Sequence, residues 1–135
     1  MAGYILDTSA VMALLFDEEG AATVSDVIYG PDRVTLPFIC LMEVEYRLSR
    51  FKPEILEESL SRIDGWPVDV AESYYSWRRA AARLKAQGKI SVADSWAAAL
   101  ALLRDAALVH KDSEFEAVSD LKVVQLPYKE SGDRS

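Results

Sequence analysis

The chain has 135 residues, with 15 Lys and Arg against 22 Asp and Glu, a formal charge of −7 and a pI near 4.7. Half the residues are hydrophobic and mean hydropathy is +0.01, the composition of one globular domain with its own core. Such an acidic chain is a poor nonspecific nucleic-acid binder, its single Cys40 excludes an intrachain disulfide, and no apolar run approaches the ~20 residues of a membrane helix.

The start Met-Ala-Gly-Tyr-Ile-Leu-Asp has no basic region, and Asp7 interrupts its apolar run. It does not read as a signal peptide, which places the chain in the cytoplasm. Tyr4, Ile5 and Leu6 form a short β-prone run ending at Asp7. A helix follows over 10–16, with Thr8 and Ser9 suited to cap it. The polar stretch 17–20 breaks the pattern, and a second helix covers 21–29 before Gly30 and Pro31. Val34, Thr35 and Leu36 read as a strand stopped by Pro37. The next helix, 38–51, carries Ile39, Met42, Tyr46 and Leu48 near helical spacing. Pro53 opens another helix, to about Ile63.

Gly65, Trp66 and Pro67 mark a turn, and 68–70 is a short strand. An amphipathic helix over 71–87 ends at Gly88, and a mostly apolar helix covers 91–104. Strands are expected at 107–110 and 123–126, with one or two helical turns at 113–118 between them. Strands alternating with helices imply an α/β domain, its mainly parallel sheet covered on both faces. The domain is expected over 1–128, with a polar tail at 129–135. Ligands of such sheets bind beyond the carboxyl ends of the strands.

Four acids stand in or beside apolar runs: Asp7, Glu43, Asp94 and Asp112. Each has an ordinary explanation. Asp7 and Asp112 suit helix caps, Glu43 can pair with Arg47, and Ser91-x-x-Asp94 resembles a capping box. Their conjunction is not ordinary. Asp7 and Asp112 follow strands directly, Glu43 lies on the helix after the second strand, and Asp94 opens an apolar helix bearing Ala97, Ala98 and Ala101. Like charges brought to one sheet edge repel unless a cation joins them. A hard cation held by oxygen ligands supplies that compensation, and metal-assisted phosphodiester hydrolysis is the chemistry that follows.

The start Asp7-Thr8-Ser9, the acid Glu43, the run Ala-Asp94-Ser-Trp-Ala-Ala-Ala-Leu-Ala and the segment Asp112-Ser-Glu114-Phe resemble, in order and spacing, a PIN domain. Within that family the chain resembles specifically the VapC-type ribonuclease toxins of prokaryotic toxin–antitoxin pairs. The resemblance implies a three-layer α/β/α fold with a four- or five-stranded sheet. It implies that Asp7, Glu43, Asp94 and Asp112 hold one or two Mg²⁺ or Mn²⁺ ions and carry catalysis. Ser9 matches a hydroxyl supporting the metal site, and Glu114 a second acid near the last ligand. An RNA substrate, a cognate antitoxin and a homodimer are implied as partners. His110 departs from the Thr or Ser common two residues before the last acid, and its strand-end position marks it as structural.

Basic residues cluster at Arg78, Arg79, Arg83, Lys85 and Lys89. Arg79 and Arg83 share a helix face and are candidates for RNA-backbone contact, the alternative being a solvated face. Two other functions remain open: a PIN-like protein-binding module without nuclease activity, and a receiver-type signalling domain. A receiver needs an acidic pair after the first strand, where this chain has Thr8 and Ser9.

Overall fold

The computed structural model describes residues 3–128. The tail expected at 129–135 lies outside the described residues. Five strands form one parallel sheet in the order β3-β2-β1-β4-β5: β1 (Tyr4–Leu6), β2 (Val34–Pro37), β3 (Asp69–Ala71), β4 (Ala107–His110) and β5 (Val123–Gln125). The α/β architecture is three-layered, α/β/α. Its helices are α1 (Thr8–Leu15), α2 (Ala21–Ile28), α3 (Phe38–Phe51), α4 (Leu56–Asp64), α5 (Tyr75–Gln87) and α6 (Val92–Arg104). Short 3₁₀ turns lie at Pro53–Ile55 and Ser113–Ala117.

The chain winds outward from β1 through β2 to β3, then returns to the other side of β1 to form β4. The switch in direction therefore falls between β1 and β4, where parallel sheets open a crevice at their carboxyl ends. Register places Leu6 beside Val109, so Asp7 and His110 leave the sheet side by side. The bond from Asp7 N–H to the Val109 carbonyl, 3.0 Å, fixes that juxtaposition.

The core is built from strand residues Ile5, Leu6, Leu36, Leu108 and Val109 with the buried faces of α1, α3 and α6. The alanines of α6 let it lie close, and it packs against β1, β2 and β4. Trp77 anchors α5 to α6: its Nε1–H donates to the Trp96 carbonyl at 2.7 Å, and its ring meets Phe38 and Trp96 edge-on.

Several boundaries differ from the pattern reading. Helix α1 begins at Thr8 because Asp7, not Thr8 or Ser9, is its cap. Pro37 does not stop its strand: it is the last residue of β2, in register with Ala71. Ala71 in turn belongs to β3, and α5 starts at Tyr75. On α3 the buried stripe is Cys40, Val44 and Leu48, whereas Met42 and Tyr46 are 54% and 55% exposed. The helix expected from Pro53 is a 3₁₀ turn followed by α4.

Candidate metal centre

Asp7 leaves β1 with its backbone extended, caps α1 and is almost completely buried, at 2% exposure. Ser9 N–H and Oγ–H both donate to its Oδ2, at 3.1 and 2.5 Å. The other oxygen, Oδ1, is buried with no hydrogen-bond partner. An orphaned carboxylate oxygen is costly to bury, and a cation is a partner that its lone pairs suit. Ser9 Oγ also accepts the Lys111 N–H at 2.8 Å, so one hydroxyl ties the end of β1 to the end of β4.

Asp112 caps the 3₁₀ turn after β4, its Oδ1 accepting the Glu114 N–H at 2.9 Å. Carboxylate oxygens of Asp94, Asp112 and Glu114 lie within 4.8 Å of one another, close enough to share a metal ion. Asp7 and Glu43 fall outside that tight group. The charges of Asp112 and Glu43 nonetheless act on Asp7, and the charge of Asp7 acts on Asp94.

The capping box expected at Ser91 and Asp94 is only half formed. Asp94 N–H donates to Ser91 Oγ at 3.1 Å, as an N-cap requires. The return bond comes from elsewhere, because Ser91 N–H donates to Glu114 Oε1. Asp94 therefore keeps its carboxylate for the cluster while Ser91 alone caps α6. The contribution of Glu114 is the feature that sequence spacing does not show, since 23 residues separate it from Ser91.

Electrostatics follow the geometry. Burial pushes the Asp94 carboxyl up to about 9, helped by the charges of Asp7 and Asp112, a hydrogen bond with Asp112 and the charge of Glu114. Burial also raises Asp7 to about 6; the two Ser9 bonds oppose the shift, and the charges of Asp112 and Glu43 add to it. Asp7 and Asp94 are thus both held above the usual carboxylate range. An all-oxygen donor set with one orphaned oxygen fits a hard divalent cation.

The remaining site residues lie around this cluster. Glu43 pairs with Arg47 at 3.9 Å, a long contact on a half-exposed stretch of α3. His110 is buried against the Phe115 ring, and burial lowers its pKa. Its Nδ1 accepts the Asp112 N–H at 3.1 Å, a turn that orients Asp112. His110→Phe keeps an aromatic ring but removes that acceptor. The expected cost is about 1 kcal/mol, or a few degrees in Tm; an unchanged melting temperature would show that the bond contributes nothing. Arg79 and Arg83 are exposed, and Arg79 donates to the Tyr75 hydroxyl at 2.9 Å. Arg83 borders a groove with Ala99, Leu102 and Leu103, whereas Arg78 and Lys85 border the one beside Val92 and Ser95.

The family model for the PIN domain matches residues 4–121. No curated protein sequence matches the chain. Among solved structures, the chain is similar to VapBC-1 of nontypeable Haemophilus influenzae, with 26% identity, a TM-score of 0.69, and 90% of this chain and 96% of that one covered. It is similar to VapBC2 of Rickettsia felis bound to a promoter DNA fragment, with 16% identity, a TM-score of 0.78, and 92% and 98% covered. VapC20 of Mycobacterium tuberculosis, a sarcin–ricin loop cleaving toxin, gives 17% identity, a TM-score of 0.71, and 87% and 95% covered. The last two likenesses establish fold alone.

Proposed function

The chain belongs to the PIN domain family, and on that premise we propose that it is a metal-dependent endoribonuclease, the toxin half of a toxin–antitoxin pair. The observation that carries this reading is the cluster of Asp94, Asp112 and Glu114, with Asp7 at the end of β1 coupled to it by charge and Asp7 Oδ1 buried and unpartnered. Asp7, Glu43, Asp94 and Asp112 would hold one or two Mg²⁺ or Mn²⁺ ions, with Ser9 and Glu114 in support. A divalent cation there supplies Lewis-acid stabilisation of phosphoryl charge and an acidified water.

The protein's own contributions are positional. Ser9 holds Asp7 through two bonds on one carboxylate oxygen and leaves the other oxygen unengaged. His110, held neutral by burial, orients Asp112 through its backbone. Burial and its acidic neighbours push the Asp94 carboxyl up to about 9, and a cation held by these acids would oppose that shift. An RNA phosphodiester enters at the carboxyl edge, where the half-buried Asp112 and Glu114 are reached from solvent. Cleavage of a structured RNA in Mg²⁺ or Mn²⁺, lost in EDTA, tests the reading.

An antitoxin is the proposed protein partner, as in a toxin–antitoxin complex of similar fold from Klebsiella pneumoniae. A groove of about 600 Å³ beside the site supports it, with Met12, Phe16, Tyr46 and Phe51 among its lining. A homodimer and a cytoplasmic location complete the proposal; among the described residues no helix is long and apolar enough to cross a membrane. For the substrate, Arg79 and Arg83 are expected to touch RNA phosphates. Replacing both with Ala should weaken binding and flatten its salt dependence by about 0.7 in log–log slope for each phosphate no longer neutralised. An unchanged slope would assign that face to solvent.

A further inference from the structure

The cleft of about 390 Å³ that opens beside Asp112 has an unexpected lining for so acidic a chain. Two cations border it, Arg47 from α3 and Lys111 from the segment after β4, together with Ser9, Glu18 and Ser113. We infer that Arg47 and Lys111 form a subsite for an RNA backbone phosphate next to the one being cut. The inference rests on the nuclease reading of the acid cluster and adds a substrate contact to it.

Lys111 is held at both ends. Its backbone N–H is tied to Ser9 Oγ at 2.8 Å, and its Nζ lies 3.4 Å from Glu18 Oε1 and 2.9 Å from the Glu19 carbonyl. Its side chain is only 5% exposed, so the ammonium is ordered before any ligand arrives. Two of its three N–H donors are engaged there, which leaves one for the cleft. Arg47 is the opposite case. Its side chain is 46% exposed and its contact with Glu43 is 3.9 Å, too long for a hydrogen bond. A guanidinium so loosely held keeps its fork for a phosphate, whose geometry it matches.

The need for such a pair follows from charge. A metal offsets the acids only where it sits, and a polyanion approaching a chain of −7 is repelled at its neighbouring phosphates. Cations from two elements, converging on a cleft that Asp112 also lines, meet that need. Glu18 then acts as the resting partner of Lys111 and competes with the phosphate for it.

The test is fluorescence anisotropy of a labelled single-stranded RNA in EDTA, where nothing is cut, across a KCl series. Arg47→Ala and Lys111→Gln should each bind about tenfold more weakly, with a slope shallower by about 0.7. Glu18→Gln should bind more tightly than wild type, because it releases Lys111 without removing a cation. That variant and Arg47→Ala keep the result readable if Lys111→Gln fails to fold. Steady-state cleavage should show the change in KM, with kcat nearly constant. If wild type cuts RNA but Arg47→Ala and Glu18→Gln leave affinity unchanged, or Glu18→Gln weakens it, the subsite is wrong while the nuclease reading stands. Unchanged affinity would leave the pair for a carboxylate of a protein partner. If wild type neither binds nor cuts RNA, both fall.

Discussion

Asp7→Asn is expected to abolish RNA cleavage while the protein stays folded. Asn retains a side-chain oxygen for the two Ser9 bonds, so the cap of α1 and the link to Lys111 survive. What disappears is the negative charge on the buried oxygen that has no partner in the fold. Loss of a direct ligand should exceed the roughly 10–100-fold that outer-shell partners are worth. Cleavage rate and a thermal melt on the same preparation check it. A variant that folds and cuts at the wild-type rate would remove Asp7 from the site.

Asp94→Asn has an effect whose sign separates two roles. As a helix-cap partner alone, Asp94 would be worth ~0.5–1 kcal/mol, and Asn would lower the melting temperature. The half-formed box argues otherwise, because Glu114 supplies the return bond to Ser91. In the cluster, burial and acidic neighbours force Asp94 to take up a proton on folding when no metal is bound, a cost that Asn, neutral at every pH, does not carry. The melting temperature in EDTA should rise by several degrees, on the order of 1–2 kcal/mol for a domain of this size. The stabilisation that Mn²⁺ gives wild type should largely vanish in the variant. The pH dependence carries the same sign. The folded pKa of Asp94, about 9, lies above its usual 3.8, so its contribution is full below 3.8 and is lost as pH rises towards 9. His110 shifts the other way, but its contribution is already constant above its ordinary pKa of 6.5. Between pH 7 and 9 the metal-free protein should therefore lose stability, and Asp94→Asn should not. A lower melting temperature in EDTA with the metal-induced gain intact would return Asp94 to the cap.

Where local chemistry decides structure, the sequence was readable. Short apolar runs closed by acids and turn residues marked all five strands, and the α/β alternation implied the layered parallel fold. The errors fall where a distant partner decides. Thr8, Ser9 and Asp7 can all cap α1, and pairing of β1 with β4 selects Asp7. Ala71 has a helix former's propensity, yet register with Pro37 holds it in β3. On α3 both stripes have helical spacing, and the seat of the helix on the fold buries Cys40 and Val44 instead of Met42 and Tyr46. The same holds for the candidate site. Asp7, Asp94 and Asp112 were visible from their places at strand and helix ends. That Glu114 would close the cap of α6, or that Lys111 would be buried against the 17–20 turn, depends on tertiary packing that no local pattern carries.

The most direct measurement is RNA cleavage by one sample taken through metal removal and return, with Asp7→Asn prepared in parallel. Wild type should cut a structured RNA in Mn²⁺ or Mg²⁺, stop when EDTA strips the ion, and resume when the ion is restored in excess; Asp7→Asn should remain inactive throughout. Cleavage that continues unchanged in EDTA, or that Asp7→Asn performs equally well, would contradict a metal-dependent nuclease built on these acids.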